Sequence, residues 1–284
     1  MGSGGFGRMI TRPAAAPTTK VAALPSGFPD AVHAVFGFGA EGTAAVGSAA
    51  AACRAMQRHE DRGRSSAAPP PPVRDDAAVV FASDWSFSVL CCDTADERAL
   101  PDADAVAREL ARRGHMAVVL GAGPLAARTQ AEEEESRYRP ARLLLPVPNR
   151  RGGLAPVLAA AAAALLSSVV CRGIVGVDGS DVWSAIGGPG HGVAVLATAH
   201  RGQEAGGFGR SAVSAVHEAG VEPSSVRRLL ISAVLPPGWR LRELDEAASA
   251  VSGEFGGAET IIMSAVHDPA AETGTVLLVC SGGV

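Results

Sequence analysis

Lysine is nearly missing from this 284-residue chain: Lys20 is the single one, and arginine carries the rest of the 25 basic charges. Aromatic residues make up only 4%, with one tyrosine. Charged residues reach 19%, below the usual level of about 25%. The formal charge of −4 argues against a general nucleic-acid binder. Five cysteines are too few, and odd in number, for a secreted disulfide scaffold. None forms a Cys-x-x-Cys pair and no histidine lies at zinc spacing, so no metal site is expected. Cys53, Cys91, Cys92, Cys171 and Cys280 read as small buried apolar residues in a reducing cytoplasm. No apolar run opens the chain as a secretory signal would. The longest apolar run, Leu154–Val170, contains Pro156 and is short of the ~20 residues of a membrane span. It reads as a buried central helix.

What is abundant is alanine, glycine and proline. Hydrophobic residues reach 47%, which excludes a disordered chain, and no Gly-X-Y period suggests collagen. At about 150 residues per domain the length implies about two domains. Residues 1–30 read as a flexible leader. A strand over His33–Phe38 runs into a helix reaching about Gln57, followed by a polar segment, 58–74, whose Pro69–Pro72 run favours an extended linker. Strands are expected at Ala77–Ala82, Phe87–Cys91, Met116–Leu120 and Arg142–Val147. Helices are expected at Asp104–Arg113, with Asp102 as N-cap and Gly114 as stop, and at Ala131–Tyr138, where the Glu132–Glu135 run suits a helix N-terminus. After the central helix the order is strand (Val193–Ala199), helix (Phe208–Ala219), strand (Arg228–Val234) and helix (Leu241–Gly253). A closing strand pair, Thr260–Val266 and Thr275–Cys280, is joined by a turn opening at His267-Asp268-Pro269. Alternating strands and helices predict α/β layers, and the closing hairpin predicts that a second sheet is mixed.

Gly37-x-Gly39-x-x-Gly42, between a strand and a helix, has the form of a dinucleotide fingerprint. Small residues there let a phosphate approach the backbone and the helix N-terminus. A nicotinamide or flavin site also requires an acid ~20 residues later at a strand end; Glu60 and Asp61 stand at that distance but in the polar segment. Three readings stay open: a structural turn, another phosphate-binding loop, and a Rossmann-type NAD or FAD enzyme.

The later sequence carries a family resemblance. Gly176-Val177-Asp178-Gly179-Ser180-Asp181-Val182 resembles the N-x-D-F-A-D-V synergy loop of the FtsZ/tubulin family. Leu229–Pro236 followed by Leu241-x-Glu243-Leu244-x-Glu246-Ala247, then Thr260–Asp268 and Thr275–Cys280, are similar to that family's subsequent strands and helix, in the same order. Upstream, Leu144-x-Pro146-x-Pro148-Asn149, Gln130-Ala131-Glu132-Glu133 and Val35-x-Gly37-x-Gly39-x-x-Gly42 resemble its strand end, its Q-A-E-E helix and its first phosphate loop. The resemblance implies a degenerate, Rossmann-like GTPase-type domain over 31–148, a central helix over 149–172 and a two-layer α/β domain with a mixed sheet over 173–284.

It also exposes a gap. The family's GGGTGTG loop aligns with Asp93-Thr94-Ala95-Asp96-Glu97-Arg98-Ala99, which has no glycine and three acids. One like-charge pair at ~4 Å costs roughly 4 kcal/mol at an effective dielectric of about 20. A residual GTP site would use Gly37, Gly39, Gly42, Thr43 and Asn149. Asp178 and Asp181 correspond to the carboxylates that enter a neighbouring subunit's nucleotide pocket and act in trans; their bland reading is helix capping, with Asp181 as N-cap of a helix starting at Val182. The expectation is a cytoplasmic pseudo-GTPase that needs no cofactor, binds an FtsZ-type filament or a paralogue, and modulates or caps it, with self-association also open. The alternative is an active, polymerising GTPase using GTP and Mg²⁺. Neither nucleic acid nor a membrane span is expected.

Overall fold

The computed structural model describes residues 32–61, 78–82, 86–123, 139–147, 153–171, 173–187, 191–199 and 205–282. The expected leader, the Pro69–Pro72 run, the Ala131–Tyr138 helix and Asn149 lie outside the described residues.

Strand β1 (Val32–Phe38) shows how side-chain alternation builds the layers. Val35 points into one core, while Ala34, Phe36 and Phe38 enter another on the opposite face. β3 (Phe87–Asp93) repeats the pattern: Phe87, Val89 and Cys91 join Val35, and Leu90 and Cys92 join Phe36. Helix α1 (Gly39–Asp61) follows β1 and packs on the Val35 face. It continues past Gln57 through Arg58 to Asp61, so the start of the expected linker is helical instead.

Beyond α1 come β2 (Ala78–Ala82) and β3, then α2 (Ala99–Arg112), β4 (Met116–Gly123) and β5 (Ala141–Pro146). In α2, Ala99, Ala103, Val106, Ala107, Leu110 and Ala111 form one buried stripe at helical spacing. Gly114 follows the helix at φ +86°, a left-handed stop that suits glycine. Arg142 of β5 grips Asp104 of α2 with two contacts, 2.9 and 3.0 Å.

The central helix α3 (Ala155–Val170) is buried on most sides, from Leu158 through Ser168. Its run of alanines combines the highest helix propensity with side chains small enough for close neighbours. Then follow α4 (Gly179–Ile186), β6 (His191–Ala199), α5 (Ala205–Glu218), β7 (Arg228–Leu235), α6 (Leu241–Glu254), β8 (Thr260–His267) and β9 (Gly274–Ser281).

The nine described strands form one sheet in the order β2-β1-β3-β4-β5-β6-β9-β7-β8. Helices α1, α3 and α4 cover one face; α2, α5 and α6 cover the other. The α/β layers and the mixed pairing agree with the sequence reading, but β8 and β9 do not pair as the expected closing hairpin. β9 lies antiparallel between β6 and β7, while β8 pairs parallel with β7 at the rim. Burial explains the exchange of places. Val276 through Cys280 are buried on both faces, whereas Thr260 through Met263 are half-exposed. A strand apolar on both faces belongs inside a sheet. Nor is there a separate second sheet among the described residues: β5 and β6 join in parallel through Arg142–His191, Leu143–Gly192 and Leu144–Val193. Among the described residues no helix is long and apolar enough to cross a membrane.

Candidate functional site

β1 and β3 are parallel neighbours, yet the helices that follow them pack on opposite faces. This makes the carboxyl end of the β1–β3 pair a switch point, where α/β sheets open a crevice for ligands. Gly37, Gly39, Gly42 and Thr43 line the turn from β1 into α1 at this place.

Each glycine has a packing reason. A β-carbon on Gly37 would collide with the carbonyl of Gly42, and one on Gly42 with the carbonyl of Cys91. The α1 start therefore lies directly on the backbone of β3. Gly39 has φ +70°, and the Asp96 Oδ2 stands 2.7 Å from where its β-carbon would be. A carboxylate from the opposite loop thus occupies the space beside the first helical residue.

That loop, Asp93–Arg98, is tied to its own chain. The Thr94 N–H donates to the Ala122 carbonyl at 3.0 Å, and its Oγ1 reaches the same oxygen at 3.2 Å. The Ala95 N–H donates to Asp93 Oδ1 at 2.8 Å, and the Asp96 N–H to the Asp93 carbonyl at 3.2 Å. Asp96 Oδ1 accepts from the N–H groups of Arg98 at 3.0 Å and Ala99 at 3.3 Å. Asp96 is therefore the side chain serving the α2 N-terminus. Asp102, expected in that role, stands inside the first turn, because the helix begins at Ala99. A second carboxylate, Glu41 on the first turn of α1, accepts from Leu154 and Ala155 at the start of α3. Sequence reasoning misses Glu41 in this role; its partners lie more than a hundred residues away and no local pattern announces them.

Glu60 and Asp61, weighed as ribose-binding acids, end α1 rather than a strand. At 1.5 Å per residue they stand roughly 30 Å along the helix from the glycine turn.

Asp178 and Asp181 lie at the other edge of the sheet. Val175 bridges antiparallel to Ala265, so the chain runs from there toward the start of β8. Ser281, at the end of β9 beside the start of β7, donates its hydroxyl to the Ala185 carbonyl of α4 at 2.6 Å. The two aspartates form a reciprocal capping box: Asp178 Oδ1 accepts from the Asp181 N–H at 2.9 Å, and Asp181 Oδ2 from the Asp178 N–H at 3.1 Å. The N-cap is Asp178, not Asp181, and the helix starts at Gly179. Asp178 is fully exposed, and the Ser180 hydroxyl and then the Asp181 N–H hold its carboxyl below the usual range.

All five cysteines are buried, and none of them forms a disulfide. Burial pushes the thiols of Cys53, Cys91 and Cys280 up to about 12 and raises Cys92 as well. They are packing residues, not nucleophiles. Among the described residues no group of three or more His, Cys, Asp or Glu side chains gathers as a metal site.

No protein-family model matches the sequence, and no curated protein matches it. Solved structures do. An empty FtsZ dimer from M. jannaschii superposes with a TM-score of 0.57 at 23% identity, over 70% of this chain and 64% of that one. A point mutant of M. jannaschii FtsZ gives 0.56 at 23% identity, over 70% and 66%. GDP-bound monomeric CetZ1 from Haloferax volcanii gives 0.51 at 16% identity, over 71% and 66%. The matched part thus spans just under two thirds of each neighbour. The likeness to these solved structures shows that the chain has the FtsZ/tubulin-type fold.

Proposed function

We propose that this protein is a pseudo-GTPase of FtsZ type: a cytoplasmic subunit that binds an FtsZ-type filament and modulates or caps it without binding GTP. One observation carries the reading. The loop that should cradle phosphates spends the N–H groups of Thr94, Ala95, Asp96, Arg98 and Ala99 on its own chain, and the Asp96 carboxylate fills the space beside Gly39. A nucleotide phosphate at the glycine turn would meet this charge and that of Glu41, both half-buried, and like charges repel by about 4 kcal/mol per close pair. Backbone N–H groups already satisfied offer an anion nothing in exchange for its water.

The capping box leaves Asp178 exposed and Asp181 half-exposed at the edge opposite the crevice. That placement suits a head-to-tail contact in which this subunit offers its carboxylates to a partner's pocket. Head-to-tail contacts build open filaments, and a subunit competent on one face only would end them.

The test has two arms. Titration with GTP and Mg²⁺ should show no binding in the micromolar range; tight binding, or GTP turnover that vanishes in Asp181→Ala, would establish an active GTPase instead. Co-sedimentation with a polymerising FtsZ should retain the protein in the pellet and shorten the filaments. Asp178→Asn and Asp181→Asn, which keep acceptor oxygens for the capping box, should stay folded and lose the effect on the partner.

A further inference from the structure

Helices α1 and α3 lie side by side and run in the same direction, and α1 grips the backbone of α3 along its whole length. At the start, Glu41 Oε2 accepts from the N–H groups of Leu154 at 2.9 Å and Ala155 at 2.7 Å. In the middle, the Cys53 thiol donates to the Ala163 carbonyl at 3.7 Å. At the end, Gln57 Nε2 donates to the Val170 carbonyl at 3.3 Å. The separations in sequence for Glu41–Leu154, Cys53–Ala163 and Gln57–Val170 are 113, 110 and 113. A near-constant offset means the two helices keep one register from end to end.

The polarity of the grip matches what a helix needs. The first N–H groups and last carbonyls of a helix lack internal partners, and the N-terminus carries partial positive charge. A carboxylate stands at the first and an N–H donor at the second. The sequence of α3 supplies neither: its N-cap position is Leu154 with no side-chain cap, its first turn has no acid and its last turn no base. Between the clamps both helices bury small side chains, Ala45, Ala49 and Cys53 of α1 and Ala159 and Ala163 of α3, in one core.

We infer that α1 is a splint for α3, with Glu41 and Gln57 as its positioning residues, so that the two helices form one rigid body. Helix α3 starts at the crevice and, near its other end, meets β7 through Ser168 and Ser232. Splinted at both ends, it holds one position relative to the crevice without any ligand there. This inference goes beyond the proposed function and does not depend on whether GTP binds.

Amide hydrogen exchange of the full chain tests it. Glu41→Ala should speed exchange at Leu154 and Ala155 about tenfold, and Gln57→Ala should do the same for the last turn of α3, while the strands stay protected. A shared rigid body further predicts coupling: the double variant should loosen α3 by more than the product of the two single effects. Should the double variant not fold, Glu41→Gln with Gln57→Leu gives the same cycle with milder changes. Unchanged exchange at Leu154 and Ala155 in Glu41→Ala, or purely multiplicative effects, would overturn the inference. GTP binding by the unmodified protein would overturn the pseudo-GTPase reading and leave this result standing.

Discussion

Ser168 of α3 and Ser232 of β7 place their hydroxyl oxygens 2.8 Å apart in the buried layer between helix and sheet. Both also reach the carbonyl oxygen of Ala164, at 3.0 and 2.8 Å. This is a polar joint between the central helix and the part of the sheet that follows it, beside a core made mostly of alanine, valine and leucine.

Removing the Ser232 hydroxyl deletes two buried contacts, while Ser168 keeps its own bond to the Ala164 carbonyl. Ser232→Ala should therefore lower unfolding stability by about 0.5–1.5 kcal/mol. Ser224→Ala, on the surface, should stay within about 0.5 kcal/mol. Urea midpoints for the two variants check the contrast.

The capping box at α4 makes a prediction about charge against geometry. Asp178→Ala removes the acceptor for the Asp181 N–H and the Ser180 hydroxyl, so the melting temperature should fall by a few degrees and α4 amides should exchange faster. Asp178→Asn keeps an acceptor and should fall less. Because the carboxyl is held below its ordinary value of 3.8, its contribution is present above that value and fades as the pH drops through the lowered one. The difference in melting temperature between the unmodified protein and Asp178→Asn should accordingly shrink in acid.

His33, buried in β1 in register with Phe87, is pushed by burial from 6.5 down to about 4. The unfolded chain takes up this proton first as the pH falls, so stability should decline between pH 6.5 and about 4. In His33→Leu that part of the decline should disappear. Denaturation midpoints at about pH 7 and about pH 5, compared between the two proteins, measure it; equal slopes would remove His33 as the cause.

Local patterns made much of this molecule readable. The alternation in His33–Phe38, the alanine run of α3 and the Leu241–Ala247 stripe each dictate an element by themselves. The glycine turn was legible as a turn, though Gly37 and Gly42 are required by the chain's own backbone rather than by a ligand. Caps were harder. Asp96 and Asp102 are both acids near one helix start, as are Asp178 and Asp181 near another; only the backbone conformation decides which one caps. Glu41 was invisible in that role, because the helix it serves is distant in sequence. The place of β9 was equally out of reach, since pairing order is a property of the assembled sheet and not of either strand.

That placement bears on how the molecule is made. β9 follows β6 and β7 in the chain, yet it stands between them. While the ribosome is still short of Gly274, β6 and β7 each present an open ladder and cannot bond to one another in their final positions. The sheet therefore cannot close between β6 and β7 until the ninth strand takes its place, which makes this the last non-local pairing the chain can form.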